Sequence, residues 1–155
     1  MRRADREVTD INDIRQILDE GEVLHIALNN GVYPYILPVN YGYELNGGRL
    51  TLFFHGASEG AKHAVIAADN HVSVEIDCGH ALVPPAGGVS CTTGYSYASL
   101  IGQGTIRKAG DSEKVKYLDA LLLHYGVTPS GYAPAHLANT LVYVIDVESY
   151  TAKRR

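Results

Sequence analysis

Residues 33–62, reading YPYILPVNYGYELNGGRLTLFFHGASEGAK, constrain this chain more than any other stretch. Two strand-like runs meet at Asn46-Gly47-Gly48, a tight turn that glycine favours because it tolerates positive φ. The second run alternates Leu50, Leu52 and Phe54 with Thr51, Phe53 and His55, which is the period of a strand. It empties into His55-Gly56-Ala57 just before helical character begins. A strand that turns on glycine into a helix presents unpaired N–H groups to one point, and Lys62 adds a positive charge one turn in. The junction is an anion site in outline.

The rest of the chain supplies more strands and a few helices. Asp10 can cap a first helix carrying Ile11, Ile14, Ile17 and Leu18 at helical spacing, with Gly21 placed to end it. Residues 22–29 read as a strand that turns at Asn29-Asn30-Gly31. In the run 32–44, Tyr33, Tyr35, Leu37, Val39, Tyr41 and Tyr43 fall on one face, while Pro34 and Pro38 force it to bend, bulge or lie partly unpaired. Ala61, Ala64, Val65 and Ala68 form the small-residue face of a helix over 58–69. Residues 71–78 and 95–108 read as strands, the latter interrupted at Gly102 and Gly104, where a bulge or a close approach by a ligand is expected. Between them, Pro84-Pro85 and Gly87-Gly88 mark a loop. The helix over 111–125 shows Val115, Leu118, Leu121, Leu122 and Tyr125 as its apolar stripe, and residues 141–147 make a final strand. The expected fold is α+β: one domain over 1–155, an antiparallel six-stranded β-barrel with peripheral helices.

Several functions are disfavoured by composition. A net charge of -4 does not suit nucleic acid, whose phosphates demand a basic face. Cys78 and Cys91 form no C-x-x-C pair and need no disulfide, which fits a reducing cytosol. No apolar run approaches the roughly 18 residues of a membrane span, so a soluble, cytoplasmic protein without membrane contact is expected. His25, His63, His71, His80, His124 and His136 show no ligand spacing, so no metal site is expected. Gly102-Gln103-Gly104 begins like a dinucleotide fingerprint, but Arg107 stands where the third glycine belongs and no βαβ unit surrounds it.

The motifs LPVNYGY, LTLFFHGASEGAK, VSVEIDC, YSYASLIGQGTI and VYVIDVESYTAK, in this order, resemble the flavin-binding split-barrel superfamily of pyridoxamine 5′-phosphate oxidase. Within it they resemble the nitroimidazole-resistance branch. The likeness runs from Asp10 to Lys153, and it implies FMN, with FAD as the alternative, at the interface of a homodimer. It implies that Pro38, Val39, Asn40 and Tyr41 line the flavin ring and that Phe54, His55, Gly56 and Ala57 flank it at a strand end. It places Lys62 beside the phosphate, Tyr97, Ser99 and Leu100 in the next flavin-lining strand, and Lys153 where the family often ends in a basic residue. Many relatives carry Arg before the lysine, and here Ala61 stands there, so Lys153 or Arg154 of either subunit would have to add the charge. His55 is the expected residue at the reaction centre, orienting substrate or passing a proton; a histidine bonded to backbone at a strand end is the other reading. The implied activity is an FMN-dependent oxidoreductase that reduces a small nitro-aromatic or heteroaromatic acceptor, with NAD(P)H as a candidate donor. The alternative is a flavin- or haem-binding split barrel without turnover.

Overall fold

The alternating runs pair into one antiparallel sheet, seen in a computed structural model that describes residues 3–155. In chain order the elements begin with β1 (Glu7–Val8), α1 (Ile11–Glu20), β2 (Leu24–Leu28), β3 (Tyr35–Val39), β4 (Gly42–Asn46) and β5 (Arg49–Ala57). They continue with α2 (Lys62–Ala68), β6 (His71–Val83), β7 (Gly94–Lys108), α3 (Asp111–His124), α4 (Pro134–Asn139) and β8 (Thr140–Arg154). The sheet order is β3-β2-β6-β7-β8-β5-β4, with β1 pairing β8 off this path. The described strands number eight, against the six expected.

Half of that difference comes from the proline-bearing run. It breaks at Asn40-Tyr41 into β3 and β4, which lie at opposite edges of the sheet. Pro38 is tolerated inside β3 because that strand is the sheet edge, and at the break the Tyr41 N–H leaves the sheet to donate to the Tyr125 hydroxyl at 3.1 Å. No ladder joins β3 to β4 among the described residues. The two-residue β1 carried too little periodicity to be read from sequence.

One face of the sheet closes on a single core. Leu24 and Ile26 of β2, Val74 and Ile76 of β6, Leu100 of β7, Ile145 of β8, and Leu52 and Phe54 of β5 all belong to it, sealed by Ile14, Ile17 and Leu18 of α1. Asp10 caps α1 as expected, its Oδ1 accepting from the Asn12 N–H at 2.8 Å. Gly21 ends α1 in extended backbone rather than at positive φ. The glycine is needed there for space, since a Cβ would stand 2.3 Å from Ile76 Cγ2.

A second core lies on the opposite face of β5 and β8. Phe53, Val142 and Val144 meet Tyr117, Leu118 and Leu121 of α3. The Phe53 and Tyr117 rings lie 4.7 Å apart, which turns α3 so that Tyr117 is buried and Val115 of the expected stripe is 41% exposed. No helix of the described residues is long and apolar enough to cross a membrane.

Gly102 and Gly104 of β7 are crowded by the neighbouring strands. A bulge between Gln103 and Gly104 lets β8 press close, and a Cβ at Gly104 would stand 2.1 Å from the Asp146 carbonyl oxygen. A backbone obstacle cannot rotate away. Gly104→Ala is therefore expected to lower stability by about 1–3 kcal/mol, the range of forced overpacking. Urea unfolding checks it, and an unchanged midpoint would contradict the close approach.

Candidate functional site

The β5 ladder runs to its last residue, Ala57 pairing with Thr140 of β8, so the strand end is held firmly in the sheet. Beyond it the chain turns through residues 58–61 and α2 opens on Lys62. The Lys62 stem folds back across Gly56, where a Cβ would stand 3.2 Å from Lys62 Cε. Its ammonium donates to the Ala57 carbonyl at 3.2 Å and the Glu59 carbonyl at 3.1 Å. Among the described residues no carboxylate pairs with Lys62, and its third proton has no protein acceptor. With seven residues α2 adds little field of its own, so the charge offered to an anion is that of Lys62. A carbonyl-held ammonium over a glycine, with no acid to neutralise it, fits a phosphate group. Ala61 contributes no charge to it.

A second donor converges on the same turn. His63 Nε2 lies 3.2 Å from the Ala57 carbonyl, which can only accept, so Nε2 carries the proton. Nδ1 is then an acceptor for the Tyr143 hydroxyl at 2.5 Å. Burial raises the Tyr143 phenol above its ordinary pKa, which keeps it a donor. Nothing in the sequence links Tyr143 to His63, because their partnership is made by the β5–β8 register.

His55 projects from the other face of β5. It lines a cleft of about 200 Å³ with Leu118, Leu122, Tyr132, His136 and Thr140. The far wall is α4, six residues long and unread in the sequence because so short a helix shows barely one period. Lys62 and His55 are thus divided by β5: one lies over Gly56, the other beneath α3 and α4.

The remaining expected residues gather elsewhere. Ser99 of β7 sits between Asp77 of β6 and Lys153 of β8, and Pro38 of β3 lies one row along, through His25, Glu75, Ile101 and Thr151. Lys153 Nζ lies 5.0 Å from the centre of the Tyr97 ring, and this cation holds the Tyr97 phenol below its ordinary pKa. Val39 is half-buried and Asn40 is exposed at the break between β3 and β4. Tyr41, Phe54 and Leu100 have at most 1% of their surface exposed, so as side chains they pack the core and have nothing to present to a ligand. Tyr41 donates to the Leu18 carbonyl at 2.7 Å, and burial pushes its phenol far up. Phe54 stacks on Tyr143 with ring centres 5.2 Å apart.

These positions therefore fall into two groups at opposite ends of β8. Thr140 adjoins Ala57 and Lys153 adjoins Ser99. At about 3.3 Å per residue the strand between them is about 40 Å long. Arg154 is engaged at the Lys153 end, 3.5 Å from Asp13 and 3.0 Å from the Gln16 side chain. Neither basic residue stands near Lys62 of its own chain. The sheet register also brings His25, Glu75 and Asp77 together, their donor atoms within 4.8 Å of one another. Sequence spacing missed this set because its members sit on two neighbouring strands.

Comparison with known proteins bears on the same architecture. A family model described as pyridoxamine 5′-phosphate oxidase matches residues 10–154. A solved structure of a candidate 5-nitroimidazole antibiotic resistance protein from Bacteroides thetaiotaomicron superposes with a TM-score of 0.81 at 25% identity, covering 96% of this chain and 86% of that one. A FAD and haem binding protein from Mycobacterium smegmatis gives 0.81 at 21% identity, covering 96% and 73%. A flavocytochrome from Azotobacter vinelandii gives 0.77 at 15% identity, covering 100% and 72%. The last two likenesses speak for the fold alone. No curated protein matches the chain.

The hydrogen-bonded pair beneath the loop is open to direct test. Tyr143→Phe keeps the ring against Phe54 and removes only the donor to His63. A loss of about 0.5–1.5 kcal/mol is expected in denaturant unfolding, together with faster amide exchange at residues 57–61. Unchanged exchange there would show that the pair does not support the loop.

Proposed function

The chain belongs to the pyridoxamine 5′-phosphate oxidase family, and from that premise we propose that it is an FMN-dependent oxidoreductase of the nitroimidazole-resistance type. Its substrate would be a small nitro-aromatic or other heteroaromatic acceptor, its electron donor NAD(P)H, and its working form a homodimer built on the split barrel. The observation that carries this reading is the unneutralised Lys62 ammonium held over Gly56 by the Ala57 and Glu59 carbonyls. In its support, the neighbour at 25% identity is described as a candidate nitroimidazole resistance protein.

The flavin, when bound, would supply the electron transfer, and the residues of this chain would hold it and control access. Lys62 would meet the phosphate, with Gly56 leaving its stem room to lie flat. The exposed surfaces of Pro38, Val39 and Asn40 would border the ring, with Ser99 and Tyr97 further along the same face. His55, exposed at the mouth of the apolar cleft, would orient the acceptor and return a proton to it. The leucines of α3 around that cleft would keep water from one side.

The division of the site supports the homodimer reading. The Lys62 group and the Tyr97–Lys153 group stand at opposite ends of β8, so one ligand touching both would draw one group from each subunit. An isologous two-fold arrangement meets that need, because each of two equivalent sites then takes the Lys62 group of one subunit and the Tyr97–Lys153 group of the other. It would also cover Ile36 and Ile101, which are 63% and 49% exposed.

Two variants separate the roles. Charged hydrogen bonds contribute on the order of 1.5–3 kcal/mol, so Lys62→Ala should weaken FMN retention by about tenfold or more. His55→Ala should retain FMN and lose turnover with a nitroimidazole under anaerobic NAD(P)H. Equal loss of cofactor in both would overturn the division of labour. Bound flavin that no donor bleaches would make the protein a binding module rather than an enzyme. A monomeric holoprotein in sedimentation would refute the shared site.

A further inference from the structure

The geometry points to a divalent-cation site on the outer face of the sheet, in which His25 Nδ1 and the carboxylates of Glu75 and Asp77 are the ligands and a first-row metal such as Zn²⁺ or Mn²⁺ is the ion. The three come from one patch of the β2–β6 ladder. His25 pairs directly with Glu75, and Asp77 follows two residues on, on the same face of β6. Their donor atoms already lie within 4.8 Å of one another. Ligands at 2.0–2.2 Å from a common ion stand somewhat closer than that, a contraction that side-chain rotation alone can provide.

Two observations single the cluster out from ordinary surface charge. The first is His25 Nδ1, which is shielded from solvent and has no hydrogen-bond partner. Glu75 Oε2 lies 3.2 Å from it but out of hydrogen-bond alignment. An imidazole lone pair facing carboxylate oxygens is repulsive unless a cation or a proton stands between them. The second is the setting. Glu20 and Glu22 join His25, Asp77 and His80 around a recess of about 340 Å³, which gathers further carboxylates beside the cluster.

An outer partner is already in place. His80 Nε2 lies 3.0 Å from Asp77 Oδ2 and its ring stacks on Tyr95 with centres 6.0 Å apart. Gly79, at φ 67, provides the bend that brings it back over the cluster. His80 is a positioning residue for Asp77, in the manner of the hydrogen-bonded groups that orient metal ligands elsewhere. One imidazole and two carboxylates suit borderline and hard divalent ions over soft ones. Three protein ligands leave further positions for water.

The test uses the full chain after EDTA treatment and buffer exchange, titrated calorimetrically with ZnCl₂. One ion per chain is expected, with a dissociation constant in the micromolar range or below. The double variant Glu75→Gln, Asp77→Asn should weaken it by about 100-fold or more, and His80→Ala by about tenfold, the usual effect of losing an outer partner. His71→Ala, which removes the exposed His71–Asp69 pair, should leave binding unchanged. In the unmutated protein, substoichiometric Mn²⁺ should broaden the amide resonances of His25, Glu75 and Asp77 first. Absence of saturable binding, equal affinity in the double variant, or broadening centred on other residues would overturn the site. Calorimetry and line broadening read the ion directly, so the outcome does not depend on flavin turnover.

Discussion

Everything in this fold is anchored on the backbone ladders of β8. This strand gives one edge to β5 from Thr140 to Asp146 and the other to β7 from Tyr143 to Arg154, with β1 added beyond. Buried backbone N–H and C=O groups have to be paired, and a strand this long can pair on both sides only if its neighbours follow it throughout. The bulge at Gly104 and the bare backbone there let β7 keep step with it. Both cores are then set, because the alternate residues Tyr143 and Ile145 enter one and Val142 and Val144 enter the other.

That same strand divides the functional surface. Its first residue closes the turn that presents Lys62, and its last residues carry Lys153 and Arg154 beside Tyr97. The resemblance in sequence treats these residues as one site, and within one chain they are two. The pleat makes a second division: Lys62 lies over Gly56 while His55 turns toward α3 and α4. Cofactor grip and acceptor handling are therefore expected of opposite faces of a single strand end. The turn itself is braced from within, with Tyr143, His63 and the Ala57 carbonyl forming a chain whose proton positions are set by the carbonyl's inability to donate.

Legibility in the sequence followed the range of each interaction. The Asp10 cap, the alternation of Leu50, Leu52 and Phe54, and the strand-to-helix turn at His55-Gly56-Ala57 are local and were readable. The run over 32–44 was read as one bent strand and is two, because its break depends on Tyr41 finding Leu18 and Tyr125 far along the chain. Tyr41, Phe54 and Leu100 looked like ligand contacts by motif, yet as side chains they are core, since a motif records position along a strand and not depth beneath a surface. The His25, Glu75 and Asp77 group was invisible for the converse reason. Its members are ordinary residues until register sets them side by side.

The sequence by itself determined most of the elements, the antiparallel character of the sheet, the family and the glycine turn before Lys62. Those depend on side-chain period, on φ preference and on contacts between near neighbours. The tertiary structure alone decided which residues share a face, which end of β8 each basic group occupies and which tyrosines are sealed from solvent. Such choices are made by pairing between strands distant in sequence, where a shift of one residue would turn every side chain to the opposite face.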